Sequence, residues 1–227
     1  ITGTSKGMGK MLASFFLAQG HRVFGCSRSE TDLVHENYTH TAVDVTDEQQ
    51  VMSWVRSIKR AAGRIDILIC NAADTSANKL VATTTGADLD RILQINFRGT
   101  FLVCREVSKI MMLQKYGRII NVSSMSVGLH EEGTAAYSAS KSAVVEFTRI
   151  LAKEMARFQV TCNVVAPSVY LTEQVQENLG GEILKKAVEQ LTIKMPLSDQ
   201  DICHTIQFLA HPFSGQITGQ VLYLGLV

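Results

Sequence analysis

Short apolar runs alternate with longer segments of helical period along the 227 residues of this chain. Such alternation predicts βαβ units and therefore a parallel sheet with helices on both faces. The runs at 65–71 and 118–123 are almost continuously apolar, which is typical of strands that are covered on both faces. The pattern predicts seven strands, the first at Ile1 and whatever precedes it and the others at 22–27, 41–44, 65–71, 118–123, 161–166 and 220–224.

Helical periodicity fills the intervals between these strands, at 9–19, 47–62, 88–113, 136–157 and 199–210. The interval between Arg28 and Asp44 is too short for the usual crossover helix, so we expect a loop with at most a short helical turn. A chain of this length fits one doubly wound α/β domain over residues 1–227. In the insertion at about 173–197, Gly180 and Gly181 offer a hinge, so we expect a lid over the substrate there.

Composition narrows the class of protein. Hydrophobic residues make up 46% of the chain and charged residues 19%, as in a globular protein with a buried core. The formal net charge of +1 favours neither a nucleic-acid partner nor a membrane surface. No apolar run approaches the roughly 20 residues of a membrane helix, and no signal-type segment opens the chain. Because an initiator Met is lacking, we expect the first strand to begin before Ile1, and an N-terminal address stays open.

The five cysteines are scattered without the spacing of metal ligands, so no metal site is predicted. Most of them fall in apolar runs that read as strands or buried helix faces. The pattern therefore predicts buried, reduced thiols in a cytoplasmic protein.

A glycine-rich turn stands where the first strand should pass into a helix. Gly3, Gly7 and Gly9 follow Thr2 in the spacing Thr-Gly-x-x-x-Gly-x-Gly. Without side chains, such a turn lets backbone amides and a helix N-terminus approach a pyrophosphate. Taken alone, the motif is also compatible with a plain strand-to-helix turn.

Tyr137 and Lys141 lie four residues apart in the segment Tyr-Ser-Ala-Ser-Lys, and Ser124 precedes the tyrosine by thirteen residues. Positions i and i+4 of a helix share a face, so the ammonium should lie beside the phenol. We expect this cation, with the positive nicotinamide ring of an oxidised cofactor, to lower the tyrosine pKa from about 10 toward neutrality. The set predicts hydride transfer between a nicotinamide and a carbonyl carbon, with Tyr137 supplying or removing the proton on oxygen.

These motifs resemble the short-chain dehydrogenase/reductase family, and the resemblance runs through nearly the whole chain. It implies a Rossmann-type fold in which Ser124 holds the substrate oxygen and Tyr137 is the general acid. It also implies that Lys141 lowers the tyrosine pKa and holds the nicotinamide ribose. Asn96 matches the asparagine that interrupts a helix and holds a water linking that lysine to solvent, although an ordinary polar helix residue is the alternative. The nearest general pattern is that of the 3-oxoacyl-(acyl-carrier-protein) reductases and related carbonyl reductases.

The resemblance also implies where the cofactor binds. Asp44 matches the family's adenine-binding aspartate, and Asn71 with Ala72 matches its Asn-Asn-Ala-Gly motif, in which Cys70 here replaces the first Asn and Ala73 the Gly. The complete expected set is Gly3, Ser5, Lys6, Gly7, Met8, Gly9, Arg28, Asp44, Val45, Asn71, Ala72, Tyr137, Lys141, Pro167, Tyr170 and Thr172.

Two more residues depart from the family pattern. Ser168 follows Pro167 where a Gly is usual, and Gly225 stands near the end of the chain where an Asp is usual. The first departure concerns the segment that meets the nicotinamide carboxamide, so it bears on local geometry more than on function. The second concerns a strand that often builds the tetramer interface.

Arg28 ends the second predicted strand, where NAD enzymes usually place a carboxylate for the ribose 2′-hydroxyl. Lys6 lies inside the glycine-rich turn, at another position where NADP-preferring members of the family carry a base. Two bases and no acid favour NADP(H) over NAD(H). The alternative is that both are ordinary solvated charges.

The expected substrate is a small-molecule or carrier-bound ketone, such as a 3-oxoacyl thioester, reduced with NADPH. Asp74 and the segment 130–132 offer contacts to a hydroxylated or amino-bearing substrate such as a sugar, or are solvated loop charges. Two alternatives stay open: an alcohol or sugar dehydrogenase working in the oxidative direction, and a non-catalytic NADP-binding protein. We also expect a homo-oligomer, either a tetramer or a dimer.

Overall fold

The computed structural model describes residues 1–76, 79–170, 188–189 and 191–225. Its strands are β1 (Val23–Ser27), β2 (Tyr38–Ala42), β3 (Ile67–Cys70), β4 (Gly117–Val122), β5 (Val160–Pro167) and β6 (Val221–Leu224). Its helices are α1 (Gly7–Ala18), α2 (Glu48–Ala62), α3 (Gly86–Leu93), α4 (Thr100–Gln114), α5 (Ser126–Leu129), α6 (Ala135–Met155) and α7 (Asp199–Ala210). Strands and helices alternate, as the sequence predicts.

All strand pairs are parallel, in the orders β1-β2 and β3-β4-β5-β6. Ile1 and Thr2 join the two groups. The Ile1 amino group donates to the Phe24 carbonyl at 2.9 Å, and the Thr2 amide donates to the Ile69 carbonyl at 3.0 Å. The prediction of seven strands is not confirmed: the described residues form six, and these two residues contribute only an isolated bridge.

Helices cover both faces of the strands, which confirms the doubly wound class. On one face, α2, α4 and α6 bury a cluster that includes Trp54, Val107 and Leu151. On the other, α1 and α7 bury a second cluster around Leu12 and Ile206. Because the strands are parallel, their carboxyl ends meet at one edge, and ligands of such sheets bind there.

Two boundaries differ from the prediction. Strand β2 spans Tyr38–Ala42, whereas the sequence predicted a strand at 41–44. The prediction was displaced because β2 is a partly exposed edge strand without a continuous apolar run. The helix predicted at 88–113 begins at Gly86, where Thr85 and Asp88 form a capping box, and is divided by a π-helical segment at Gln94–Gly99. Hydrophobic periodicity does not reveal such a one-residue change of winding.

Among the described residues, no helix is both long and apolar enough to cross a membrane. The proposed lid at about 173–197 lies largely outside the described residues. At the C-terminal end of that insertion, Leu191 is buried and the Leu197 amide donates to the Val169 carbonyl at 2.8 Å. The part that is described is therefore attached to the segment that follows β5.

Candidate active site

A cleft of about 1590 Å³ opens at the carboxyl ends of the strands. It runs from the glycine-rich turn past the ends of β1, β3, β4 and β5 to α6. Of the predicted site residues, those in its lining are Gly3, Ser5, Lys6, Gly7, Met8, Arg28, Asp44, Val45, Asn71, Ala72, Ser124, Tyr137, Lys141, Pro167 and Tyr170. Gly9 and Asn96 lie behind this surface, and Thr172 lies outside the described residues.

The glycine-rich turn is shaped to receive a diphosphate. Gly3 has φ +76°, and a Cβ there would lie 2.9 Å from the Ala72 Cα, while a Cβ on Gly9 would collide with the Gly3 carbonyl oxygen. Helix α1 begins at Gly7; in the part of the chain that is described, no side chain caps it and no acid lies in its first turn. Unused amides at the positive end of a helix dipole suit an anion. These residues therefore fit the diphosphate of a nicotinamide cofactor.

Asn71 and Ala72 hold this turn in place. Both backbone amides donate to the Thr2 hydroxyl at 3.0 Å, and the Asn71 side-chain amide donates to the Thr2 carbonyl at 3.1 Å. The chain after β3 is thereby tied to the start of the glycine-rich turn. Replacement of the family's Gly by Ala73 leaves these contacts intact.

Two exposed bases lie at the far end of the cleft. Neither Lys6 nor Arg28 forms an ion pair with another described residue. Asp44, at the end of β2, uses one carboxylate oxygen to accept from the Thr46 amide at 2.9 Å and hydroxyl at 2.8 Å. This end of the cleft thus combines available positive charge with a carboxylate that is already turned toward its own loop.

The predicted catalytic side chains converge on the middle of the cleft. Ser124 follows β4 and accepts from the Ser126 amide at 3.2 Å, while Tyr137 and Lys141 project from α6. The Lys141 ammonium is buried and donates to the Val122 carbonyl at 2.8 Å, and it lies 5.9 Å from the centroid of the Tyr137 ring. The helical spacing therefore places the lysine beside the tyrosine, as predicted.

The protein's own groups shift the pKa of Tyr137 upward, whereas the expectation that the ammonium and an oxidised nicotinamide ring together lower it stays a prediction. Burial raises the pKa of Tyr137, and the nearby Ser124 hydroxyl acts in the opposite direction. Burial also lowers the pKa of Lys141 to about 8, against a smaller opposing influence of Cys70. The sequence argument counted the ammonium as a full fixed charge and omitted the desolvation that both groups experience on this helix.

Asn96 is fully buried in the π-helical segment and is engaged on every side. Its side-chain amide donates to the Asp74 carbonyl at 3.1 Å and the Ser140 hydroxyl at 3.0 Å, and its side-chain oxygen accepts from the Asp74 amide at 2.7 Å. Its backbone carbonyl accepts from the Thr100 hydroxyl at 2.8 Å. The side chain therefore clamps the chain after β3 to α6, the helix that carries Tyr137 and Lys141.

Ser168 and Gly225, the two departures noted after β5 and at the end of the chain, lie against each other. A Cβ on Gly225 would collide with the Ser168 hydroxyl, and Gly225 has φ +80°. A serine in place of the family's glycine is thus accommodated because the opposite position has no side chain. Close by, the Tyr170 hydroxyl donates to the Asp199 carboxylate at 2.6 Å.

The polar residues suspected of binding substrate are partly occupied by other contacts. The Asp74 carboxylate pairs with Arg91 and accepts from the Ser76 amide at 2.9 Å and hydroxyl at 2.6 Å. Glu131 lines the cleft. The Asp74 side chain is only 14% exposed, so these contacts make it a paired structural charge and neither a solvated charge nor a free substrate contact.

The five cysteines lie buried and free of disulfides. Within the described ranges, no group of three His, Cys, Asp or Glu side chains could hold a metal ion. Cys70 and Cys104 lie with their sulfurs 3.7 Å apart beneath the chain that follows β3. Cys70 therefore fills, as a packed thiol, the position where the family pattern has its first Asn.

Sequence reasoning missed a polar network at the adenosine end of the cleft, formed by Thr4, Tyr38 and His40. Its signal was available, because Tyr38 and His40 are two residues apart and alternate positions of a strand share a face. The prediction placed the strand too late to show that these side chains point the same way.

The parallel sheet, the glycine-rich turn and the Ser124, Tyr137 and Lys141 cluster define a dinucleotide-binding α/β oxidoreductase. A family model described as short chain dehydrogenase matches residues 1–182. The chain belongs to the short-chain dehydrogenase/reductase family, whose members are oxidoreductases acting on CH–OH and C=O groups.

Curated relatives and solved structures that are similar to this chain agree with its assignment to this family. The chain is 32% identical over 235 residues to the 3-oxoacyl-(acyl-carrier-protein) reductase FabG of Rickettsia conorii, covering 99% of this chain and 93% of the relative. The structure of ElxO with NADP bound matches with a TM-score of 0.92 and 28% identity, covering 98% of this chain and 94% of ElxO. A putative gluconate dehydrogenase from Agrobacterium tumefaciens matches with a TM-score of 0.91 and 25% identity, covering 99% and 92%.

Proposed function

We propose that this protein reduces a ketone to a secondary alcohol with NADPH, and that the substrate is a 3-oxoacyl thioester or a similar carbonyl compound. The observation that carries the proposal is the convergence of Ser124, Tyr137 and Lys141 on one cleft whose other end suits a diphosphate. The similarity to 3-oxoacyl-(acyl-carrier-protein) reductases over nearly the whole chain supports the substrate class.

Each side chain has a defined task. The hydroxyls of Ser124 and Tyr137 donate hydrogen bonds to the substrate carbonyl oxygen and so orient the carbonyl carbon. When bound, NADPH supplies the hydride. Tyr137 gives its proton to the oxygen, and the raised pKa of its phenol suits a general acid that is protonated at neutral pH.

Lys141 moves protons toward Tyr137 and holds the nicotinamide ribose in this proposal. Its ammonium now donates to the Val122 carbonyl, so a rotation of the side chain is required to reach a ribose hydroxyl. Because burial lowers the pKa of Lys141 to about 8, the group can release and regain a proton near neutral pH. Asn96 positions α6 beneath these groups through its bond to Ser140, and we propose that the second lone pair of its backbone carbonyl, beside the bond from Thr100, holds the proton-relay water.

We propose NADP(H) rather than NAD(H) as the cofactor. Arg28 and Lys6 line the end of the cleft where the adenosine ribose would lie, and they suit a 2′-phosphate. The likeness to ElxO, whose structures have NADP or NADPH bound, supports this choice. The complete cofactor set, including Pro167, Tyr170 and Thr172, belongs to the same proposal.

A sugar or alcohol dehydrogenase working in the oxidative direction is the second candidate. It is favoured by the likeness to a putative gluconate dehydrogenase and by Glu131 and Thr134, polar residues in the cleft wall near Tyr137. The same catalytic residues serve both directions. A non-catalytic NADP-binding protein is a third candidate, but the intact catalytic set argues against it.

We also propose one Rossmann-type domain with a substrate lid at about 173–197 in a cytoplasmic homo-oligomer. The five free, buried cysteines suit a reducing compartment. Phe101, Phe147 and Ile150 form an apolar patch on α4 and α6, in which Phe101 is 38% and Ile150 51% exposed. Light scattering coupled to size-exclusion chromatography measures the oligomeric state of the purified protein. A strict monomer would contradict this part of the proposal.

The function is tested by titrating the purified protein with NADPH and NADH, then measuring NADPH oxidation against acetoacetyl thioesters, simple ketones and keto-sugars. Oxidation of alcohols and sugars with NADP⁺ is measured in parallel. We expect tighter binding of NADPH and the fastest turnover with a 3-oxoacyl thioester. Turnover confined to sugars would favour the second candidate, and binding without any turnover would favour the third.

A further inference from the structure

A network of hydrogen-bonded polar groups lies behind the adenosine end of the cleft, with His40 at its centre. The Nδ1 atom of His40 lies 3.1 Å from the Tyr38 hydroxyl and 3.3 Å from the Thr4 hydroxyl. The Nε2 atom lies 3.0 Å from the Ser29 carbonyl oxygen and 3.3 Å from the Ser27 hydroxyl. One ring thus contacts groups from four separate positions along the chain.

The contacts determine which nitrogen of the His40 ring carries the hydrogen that is donated to Ser29. A carbonyl oxygen only accepts, so Nε2 must carry the hydrogen that it donates to Ser29. The Tyr38 hydroxyl donates its one hydrogen to the Thr4 hydroxyl, so the Thr4 hydroxyl is the group that can donate to Nδ1. Burial raises the pKa of Tyr38, which keeps its hydroxyl a donor. The ring is therefore held in one orientation from both sides.

This network joins the two parts of the chain that would hold the adenosine half of a dinucleotide. Thr4 lies inside the glycine-rich turn and is fully buried, and the Tyr38 hydroxyl donates to its hydroxyl at 3.0 Å. Ser27 and Ser29 flank Arg28 at the end of β1, and all three line the cleft. His40 is the residue that connects the turn to this arginine-bearing segment.

Gly25 provides the space that the network needs. A Cβ at this position would collide with both the Thr4 and the Tyr38 hydroxyls. The middle of β1 is therefore kept free of a side chain where these two hydroxyls meet.

We infer that His40 is a positioning residue that sets the preference for a coenzyme bearing a 2′-phosphate, an inference that rests on the proposed NADPH-dependent function. Arg28 is exposed, so only its backbone can preorganise it. His40 donates to the backbone carbonyl of Ser29, the residue after Arg28, and the Ser27 hydroxyl donates to the same carbonyl at 2.6 Å. A segment that is already ordered loses less entropy when it grips a phosphate. His40 acts through Arg28 and needs no contact with the phosphate.

Calorimetric titration with adenosine 2′,5′-bisphosphate and with AMP isolates this effect, because the two probes differ only in the 2′-phosphate. The quantity compared is the ratio of the two dissociation constants. For His40→Leu we expect the preference for the bisphosphate to fall about fivefold, as loss of one hydrogen bond implies, while AMP binding changes less than twofold. For His40→Gln, whose side-chain amide can donate to the Ser29 carbonyl, we expect most of the preference to return.

His35→Leu is the matched control. His35 lies five residues before His40, is exposed, and accepts from the Asn37 amide at 3.0 Å, outside the network. We expect its ratio to equal that of the wild type. Tyr38→Phe removes only the hydroxyl on the other side of the ring, so we expect a smaller fall than for His40→Leu.

The outcomes separate this inference from the proposed function. If the wild type binds both probes equally, the NADPH assignment fails and the inference fails with it. If the wild type prefers the bisphosphate and His40→Leu keeps that preference, the inference alone fails. An equal loss of both probes, or a Gln variant no better than Leu, would show a merely structural role and would likewise overturn it. Thermal unfolding of each variant establishes that the titrated protein is folded.

Discussion

The two ends of the cleft differ in how deeply their functional side chains are buried. At the chemical end, Lys141 is 3% exposed and the pKa values of both Tyr137 and Lys141 are displaced by burial. At the adenosine end, Lys6 and Arg28 are exposed, and a hydrogen-bonded polar network supports the segment that carries Arg28. The chemical end depends on desolvated side chains, whereas the adenosine end depends on an ordered backbone that presents exposed charge.

This contrast separates rate from affinity. A buried general acid acts only when bonds to the substrate oxygen change, so its loss should appear in turnover. An exposed base that grips a phosphate binds equally in the ground and transition states, so its loss should appear in cofactor affinity. Substitutions at the two ends should therefore give opposite patterns of kcat and Kd.

The largest effect is expected for Tyr137→Phe. Loss of the proton donor should lower kcat by about 100-fold to 10,000-fold, the range for general acid catalysis. The ring and its packing are retained, so the Kd for NADPH should stay within about threefold, which is under 1 kcal/mol. Steady-state kinetics and fluorescence titration check both numbers. A large rise in Kd would show that the two ends are not separable in this way.

Lys141→Met should reveal the cost of burying the ammonium. The pKa of Lys141 is lowered in the folded protein to about 8, below the ordinary 10.5, so between these values the unfolded chain holds more protons. Its contribution to stability is therefore present above pH 10.5 and lost as the pH falls through about 8. The difference amounts to roughly 3 kcal/mol.

Denaturant unfolding of wild type and Lys141→Met at several pH values measures this contribution. The stability of the wild type relative to the variant should rise from pH 8 to pH 10.5. Cys26 and Cys162, whose pKa values burial raises to about 12, lower the stability of both proteins at high pH and cancel in the comparison. A difference that is flat or falls with pH would mean that burial does not displace the lysine.

At the adenosine end, Arg28→Ala should weaken NADPH binding by about 10-fold to 100-fold, the value of a charge-assisted hydrogen bond. Binding of NADH should change less than threefold, because it lacks the 2′-phosphate that the arginine would meet. The kcat at saturating NADPH should stay near that of the wild type. Glu30→Ala, a nearby exposed charge outside the cleft lining, is the control. Equal loss of both coenzymes would make Arg28 an ordinary surface charge.

Ser168 and Gly225 should show a coupled stability effect of about 1–2 kcal/mol. Gly225→Ala places a methyl group against the Ser168 hydroxyl at φ +80°, so the free energy of unfolding should fall. Ser168→Gly should recover the part that is due to the collision but not the part that is due to the backbone conformation. A double-mutant cycle separates the two parts. Additive effects would contradict direct contact between these positions.

The smallest effect is expected for Asp74→Asn, which weakens a partly exposed pair with Arg91. Such pairs are worth about 0–1 kcal/mol, so stability and KM should change little. Asp66→Asn, which weakens an exposed pair with Arg64, serves as a comparison for the loss of one surface ion pair. A rise in KM of tenfold or more for Asp74→Asn alone would restore its role as a substrate contact.

Sequence reasoning succeeded where burial is complete. Strands β3, β4 and β5 are apolar runs that are buried on both faces, and continuous hydrophobicity identifies them without ambiguity. Helix geometry placed Lys141 beside Tyr137, Ser124 was chosen from the thirteen-residue spacing of the family, and all three line one cleft. The glycine-rich turn was found because only residues without side chains fit there.

Reasoning from hydrophobic patterns failed where polar side chains form the structural contacts. Strand β2 was misplaced because Tyr38, Thr39 and His40 are partly or fully exposed and follow no apolar pattern. The hydrophobic period continues across Asn96, so only the family resemblance predicted an interrupted helix there, and the π-helical segment at Gln94–Gly99 agrees with it. The rise in the Tyr137 pKa required knowledge of how deeply α6 places that ring, which spacing does not supply. Both ends of the cleft thus contain features that residue spacing alone does not predict.

The central claim is hydride transfer to a carbonyl carbon that Tyr137 completes by protonating the oxygen. NADPH carrying deuterium at the transferable position, incubated with an acetoacetyl thioester, tests it most directly by mass spectrometry of the product. We predict one deuterium on the carbinol carbon with the wild type, and labelled alcohol formed at least about 100-fold more slowly with Tyr137→Phe, although both proteins bind NADPH. Consumption of NADPH without deuterium in the product, or equal labelling by the variant, would contradict the account.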